Sequence, residues 1–270
     1  MNGASKPTGL DEIAAMFARA KREGRAAFLP YFPIGYPSID DSLDAIAALA
    51  AEGADGFEIG LPFSDPLADG PTVQAATQVA LENGVTVARG LDAVRALRAR
   101  GVTQPMMLMG YLNPLLAYGL ERFARDARAA GASGVIVPDL PPEEAGPLAE
   151  ACAREGLALI FFIAPTSSPE RIALVAEQAQ GFIYVVSVTG VTGARDTLPP
   201  ELAAFIARVR AQTQTPLVLG FGISRPEQAR QLNTLVDGFI VGSALVRAAQ
   251  SGVEAVRELG GTLRRALDEA

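Results

Sequence analysis

The 270-residue chain has no histidine, no tryptophan, one cysteine and only two lysines. The missing histidine excludes Ser-His-Asp and Cys-His nucleophile systems, an imidazole general base, and the ordinary zinc and non-haem iron sites, so no metal centre is expected. Acid–base chemistry falls to carboxylates or tyrosine. Both lysines, Lys6 and Lys21, precede the first strand-like run and lie far from any pocket the rest of the chain could form, which argues against Schiff-base catalysis. One cysteine allows no disulfide within the chain. Cys152 sits in the helical pattern AEACAREG and reads as a small buried hydrophobe rather than a reactive thiol. Cations are short overall: the formal net charge is −7 and the isoelectric point near 4.8. Binding to nucleic acid or to an anionic membrane needs clustered Lys and Arg, so neither is expected, and an anionic ligand would need local donors instead. No basic region leads into an apolar run and no stretch approaches the length of a membrane span, so a soluble, cytoplasmic protein is expected.

The chain does have a 49% apolar composition arranged in repeats. Short runs rich in β-branched and aromatic residues alternate with Ala-, Leu- and Arg-rich stretches of helical period, the pattern of β-α units. Eight strands are expected at 26–34, 55–60, 104–110, 133–138, 157–163, 181–187, 215–221 and 237–242. Helices are expected at 39–52, 71–83, 89–100, 119–130, 142–155, 169–179, 200–211, 225–233 and 252–268. Near-continuous apolar strands are buried on both faces, as parallel sheets require. The length is close to the roughly 250 residues of one (β/α)8 barrel. The expectation is therefore an α/β fold, a single TIM-barrel domain over residues 1–270 with an extra N-terminal helix. A doubly wound open sheet is the alternative, but no GxGxxG follows the first strand.

An internal echo marks one residue. Aligned on their glycines, GADGFEIGLP (53–62), GASGVIVPDLP (131–141), AQGFIYVVS (179–187) and VDGFIVGS (236–243) place Glu58 opposite Ile136, Ile183 and Ile240. A carboxylate where its counterparts bury branched aliphatics costs free energy and raises its pKa, a pattern more often functional than structural. The following LPFSDPLADGP (61–71) is longer than an ordinary βα connection and carries Asp65 and Asp69. Asp65, before Pro66, suits a turn. Asp69 is equally a turn feeding a helix with Pro71 at its start or a second site carboxylate, one acting as acid and base while the other stays ionised. A second long connection, VTGVTGARDTLP (188–199), carries Gly190 and Gly193 as hinge positions and Thr189 and Thr192 as bonding groups, and reads as a mobile lid. GFGIS (220–224) and VGSALV (241–246) end the seventh and eighth runs, where barrels frequently hold phosphate on backbone N–H groups.

FEIGLPFSDPLADGP (57–71), YVVSVTGVTGARD (184–196), LGFGIS (219–224) and VGSALV (241–246) together resemble the tryptophan synthase α subunit family, and the likeness runs from PYFPIGYP (30–37) to about residue 250. The resemblance implies an eight-stranded barrel that cleaves indole-3-glycerol phosphate to indole and glyceraldehyde 3-phosphate. It implies Glu58 and Asp69 as catalytic residues, Tyr184 as a pocket tyrosine, and Thr192 as the lid threonine that closes on the aspartate. It further implies Gly193, Gly222, Gly242 and Ser243 as phosphate donors. Tyr31, Met109, Ile136, Phe162 and Phe221 fall where the family contacts indole, and ordinary core packing is an equal reading for each. Val188 stands where some members carry arginine in the lid. The implied partner is a β subunit in an α2β2 heterotetramer, docked through rim loops such as 64–69, 113–114 and 139–142. That partner would carry pyridoxal phosphate, and this chain no cofactor. Within the same resemblance, a free-standing indole-3-glycerol phosphate lyase and a non-catalytic regulatory partner of a β subunit are the alternatives.

Overall fold

The computed structural model describes residues 6–186, 200–220 and 222–269. Its strands are β1 (Ala27–Pro33), β2 (Phe57–Gly60), β3 (Met106–Met109), β4 (Gly134–Ile136), β5 (Ala158–Ile163), β6 (Ile183–Val186), β7 (Leu217–Gly220) and β8 (Gly238–Val241). Each pairs in parallel with the next, and β8 returns to β1, closing a barrel. Every strand lies inside the apolar run expected for it. The reason is double-sided burial: all seven residues of β1 are buried, with Ala27, Leu29 and Tyr31 in the inner cluster and Phe28 and Phe32 against the helices.

Among the described residues the helices are α1 (Gly9–Arg22), α2 (Ile39–Ala51), α3 (Pro71–Glu82), α4 (Val87–Ala99), α5 (Leu112–Tyr118), α6 (Leu120–Ala130), α7 (Gly146–Glu155), α8 (Pro169–Gln178), α9 (Pro200–Arg210), α10 (Pro226–Leu232), α11 (Ser243–Ala248) and α12 (Val253–Arg265). Hydroxyl residues start several of them. Ser38, Thr86 and Ser168 each accept from a first-turn N–H, and Thr8 and Asp11 cap α1 reciprocally. One helix, α5, was not expected; at seven residues it is too short to display an apolar period. The single helix expected over 142–155 is a 3-10 turn, Pro142–Glu144, followed by α7, because Pro147 cannot donate a backbone hydrogen bond into a continuous helix.

The N-terminal helix α1 closes the floor of the barrel. Its Ile13, Met16, Phe17 and Ala20 join the inner cluster, and Phe17 meets Phe182 edge-on at 6.0 Å. A Cβ on Gly56 would lie 2.7 Å from the Met16 sulfur, so that glycine is what lets the helix approach β2. Also at the floor, the buried Asp55 carboxylate accepts from Arg25 Nη1 at 2.6 Å, Arg25 Nη2 at 2.9 Å and the Phe28 N–H at 2.9 Å. Cys152 is buried in α7 and burial pushes its thiol up to about 12. No helix among the described residues is long and apolar enough to cross a membrane.

One part of the glycine alignment is corrected by the structure. Ile136 and Ile240 face the barrel interior, but Ile183 packs outward, and Phe182 and Tyr184 on either side of it point in. A one-residue slip turns a strand residue to the opposite face.

Candidate active site

Glu58 occupies the middle of β2, in register with Tyr31 of β1 and Met107 of β3. Its side chain opens on a cavity of 580 Å³ at the C-terminal mouth, walled by Tyr31, Met109, Phe162, Tyr184 and Ile240. The residue is 2% exposed, and no cation among the described residues pairs with it. Its polar contact is the Tyr184 hydroxyl, which donates to Oε2 at 3.4 Å. Burial, reinforced by the negative charge of Asp69, raises the Glu58 carboxyl from 4.5 to about 8; the Tyr184 bond works in the other direction.

The connection 61–70 delivers Asp69 to the same cavity. Asp65 serves its turn: its carbonyl accepts from Leu67 N–H, and its carboxylate accepts from Ser64 Oγ at 2.5 Å. Asp69 is held by its backbone, since its N–H donates to the Pro66 carbonyl at 3.0 Å and its carbonyl accepts from Gln74 Nε2 at 2.8 Å. Gly70 and Pro71 then start α3, with proline at the first helical position. The turn reading and the site reading of Asp69 are thus compatible. Burial raises its carboxyl to about 6, opposed by a hydrogen bond from Tyr111. At neutral pH Glu58 is mostly protonated and Asp69 mostly ionised, the division of labour that an acid and an electrostatic stabiliser need.

Both inner tyrosines lie against glycines. A Cβ on Gly60 would stand 2.6 Å from the Tyr31 hydroxyl, and one on Gly220 2.3 Å from the Tyr184 ring. Phe162 stacks on Tyr184 with ring centres 4.7 Å apart, giving one wall an aromatic face. Gly222, Gly242 and Ser243 line the side of the cavity at the ends of β7 and β8. There α11 begins, and the N–H groups of its first turn lack intrahelical acceptors. No lysine or arginine is found among the described residues that line the cavity.

Ile136 is the expected contact that the cavity does not include. It is wholly buried in the barrel interior, and Pro138, two residues nearer the mouth, lines the cavity instead. Thr192, Gly193, Phe221 and Val188, with the rest of the expected lid, lie outside the described residues. Sequence reasoning missed Thr72 and Val73 at the start of α3, which line the cavity, and Tyr111, which binds the Asp69 connection. Tyr111 follows Gly110 at the end of the third strand run, a position from which barrel residues reach the mouth, and that was the available signal.

A closed (β/α)8 barrel with a protonated and an ionised carboxyl group facing one apolar cavity at its C-terminal mouth defines a barrel enzyme of the acid–base class. The family model of the tryptophan synthase alpha chain matches residues 17–265, and the chain belongs to that family. The tryptophan synthase alpha chain of Chloroflexus aggregans is 51% identical over 253 residues, 94% of this chain and 95% of the relative. That of Geobacter sulfurreducens is 46% identical over 97% of this chain and 99% of its own. Among solved structures, tryptophan synthase of Mycobacterium tuberculosis matches with a TM-score of 0.90 at 41% identity, covering 94% of this chain and 97% of that one. The subunit alpha of Legionella pneumophila matches with a TM-score of 0.89 at 36% identity, covering 96% and 99%.

Proposed function

We propose that Glu58 and Asp69 carry the α reaction of tryptophan synthase in this chain, the retro-aldol cleavage of indole-3-glycerol phosphate to indole and glyceraldehyde 3-phosphate in L-tryptophan biosynthesis. The observation that carries this assignment is a pair of carboxyl groups on one cavity, with burial raising Glu58 to about 8 and Asp69 to about 6. Cleavage needs a proton delivered to C3 of the indole ring, which turns the ring into an electron sink. It also needs the proton of the side-chain hydroxyl removed as that carbon becomes a carbonyl and the C–C bond breaks. Protonated Glu58 gives the first proton; the carboxylate it leaves behind takes the second and is restored. Ionised Asp69 accepts the indole N–H and stabilises the positive charge that C3 protonation creates. This route needs neither lysine nor metal.

Tyr31, Met109, Phe162 and Tyr184 supply an aromatic and apolar wall suited to indole. The phosphate lies against Gly222, Gly242 and Ser243, on backbone N–H groups rather than side-chain cations. The chain acts as one barrel domain, residues 1–270, with no cofactor of its own, in the cytoplasm. A β-subunit partner is implied by the family. We assign an α2β2 heterotetramer, with pyridoxal phosphate on the β subunit and docking at the C-terminal rim. Leu67, 91% exposed, and Leu116, 52% exposed, are apolar groups on that rim. The test is indole release from indole-3-glycerol phosphate by the purified chain, alone and with a β subunit. Release that rises with the partner is expected; no release in either condition overturns the assignment.

A further inference from the structure

The connection that carries Asp69 is exposed in its middle, where Ser64, Asp65, Leu67 and Ala68 face solvent. One side chain from another connection holds it at two points. The buried ring of Tyr111, at the start of α5, packs on Phe63 with centres 5.4 Å apart. Its hydroxyl accepts from the Ala68 N–H at 3.0 Å, and it lies close enough to the Asp69 carboxylate to oppose the rise that burial gives it. A phenol has one proton to give, and with Ala68 as donor to the oxygen that proton is left to turn toward the neighbouring Asp69. The backbone beside Tyr111 is fixed in turn, because Leu112 N–H donates to Asp139 Oδ1 at 3.0 Å. We propose that Tyr111 is a positioning residue for Asp69: it pins the 61–70 connection to the β3 connection and aims the Asp69 carboxylate into the cavity.

This inference rests on the role given to Asp69 under the proposed function. The groups that face Asp69 are Glu58 from β2, Tyr31 from β1, Tyr111 itself, and Tyr184 from β6, while Asp139 acts on Tyr111 from the connection after β4. None of these is a cation, so the Tyr111 proton is the contact that favours the ionised aspartate.

Tyr111→Phe keeps the ring on Phe63 and removes only the hydroxyl. We expect kcat to fall about tenfold with KM within about twofold, because a donor to one charged group is lost and no substrate contact is. The acidic limb of kcat/KM should move upward by about one pH unit, while the alkaline limb stays in place. Carbon-13 NMR of the aspartate carboxyl groups reads the same midpoint without turnover. Tyr118→Phe, which removes a rim hydroxyl bonded to Asp126, should leave both limbs unmoved. An unmoved acidic limb in Tyr111→Phe overturns the inference, whether or not kcat falls. If that occurs while Asp69→Asn is inactive, the Tyr111 role alone fails; if Asp69→Asn retains full turnover, the reading of the site fails and takes this one with it.

Discussion

Asp55 and Glu58 belong to one short segment, DGFE, and both are buried, at 1% and 2% exposure. They nevertheless behave in opposite ways. Asp55 lies at the floor, where burial by itself would raise it, but hydrogen bonds from Arg25 and from the Phe28 N–H hold it below the usual carboxylate range. Glu58, at the mouth, has a single long bond from Tyr184 and stands near 8. Burial is common to both; the partner decides. The floor spends a carboxylate on stability by pairing it with an arginine of 3% exposure, whereas Arg19, 44% exposed, adds little to that pair. The mouth leaves its carboxyl group unpaired, which costs stability and keeps a proton available.

The largest effect expected from breaking this comparison is at the mouth. Glu58→Gln keeps the shape and removes the proton relay, and turnover should fall by about 10²–10⁴ or more. The fold should remain intact by circular dichroism, and a rate within tenfold of the parent would show that Glu58 is not the acid. Asp69→Asn should lose turnover comparably while the affinity for inorganic phosphate changes little, measured by calorimetry; failure chiefly in phosphate binding would mean that its role is misassigned.

The floor should respond in the other currency. Asp55→Asn strands the buried Arg25, and breaking one side of such a pair costs about 3–5 kcal/mol. Urea unfolding measures it, and the rate per folded molecule should stay near that of the parent at neutral pH. A variant as stable as the parent would mean that the pair is dispensable.

The remaining effects separate the two carboxyl groups by pH. Between its ordinary 4.5 and its folded value of about 8, Glu58 keeps a proton in the folded chain that the unfolded chain has released, so its contribution to stability is lost as pH rises across that interval. Asp55 has the reverse sign: its contribution is present above the ordinary 3.8 and is lost as pH falls through its lowered folded value. Urea stability of Glu58→Gln should therefore gain on the parent from about pH 5 upward and level off beyond about pH 8. A constant gap over that range would contradict a raised Glu58. The kcat/KM profile should be a bell with limbs near 6 for Asp69 and near 8 for Glu58.

Much of this protein is legible in its sequence. The eight strands could be placed because parallel strands buried on both faces read as continuous apolar runs, and Glu58 stood out as a carboxylate where the glycine-aligned echoes carry isoleucine. The 61–70 connection was visible by its length. The limits are equally physical. The face on which Ile183 lies depends on a register that a shared glycine does not set. The short helix α5 carries no period to detect.

Composition and local pattern alone therefore determined the barrel and, in a sequence without histidine, left carboxylates or tyrosine as candidate acid–base groups. Only the tertiary structure decided that Asp55 has a cation, Arg25, as its partner while Glu58 has the Tyr184 hydroxyl, and that Tyr111 reaches Ala68 across two connections. The reason is that a carboxyl group's ionisation is set by what lies within a few ångströms of it. Arg25 is 30 residues from Asp55 and Tyr111 is 43 from Ala68, neighbours that the pairing of adjacent strands creates, and Tyr184 is 126 from Glu58, a neighbour across the barrel.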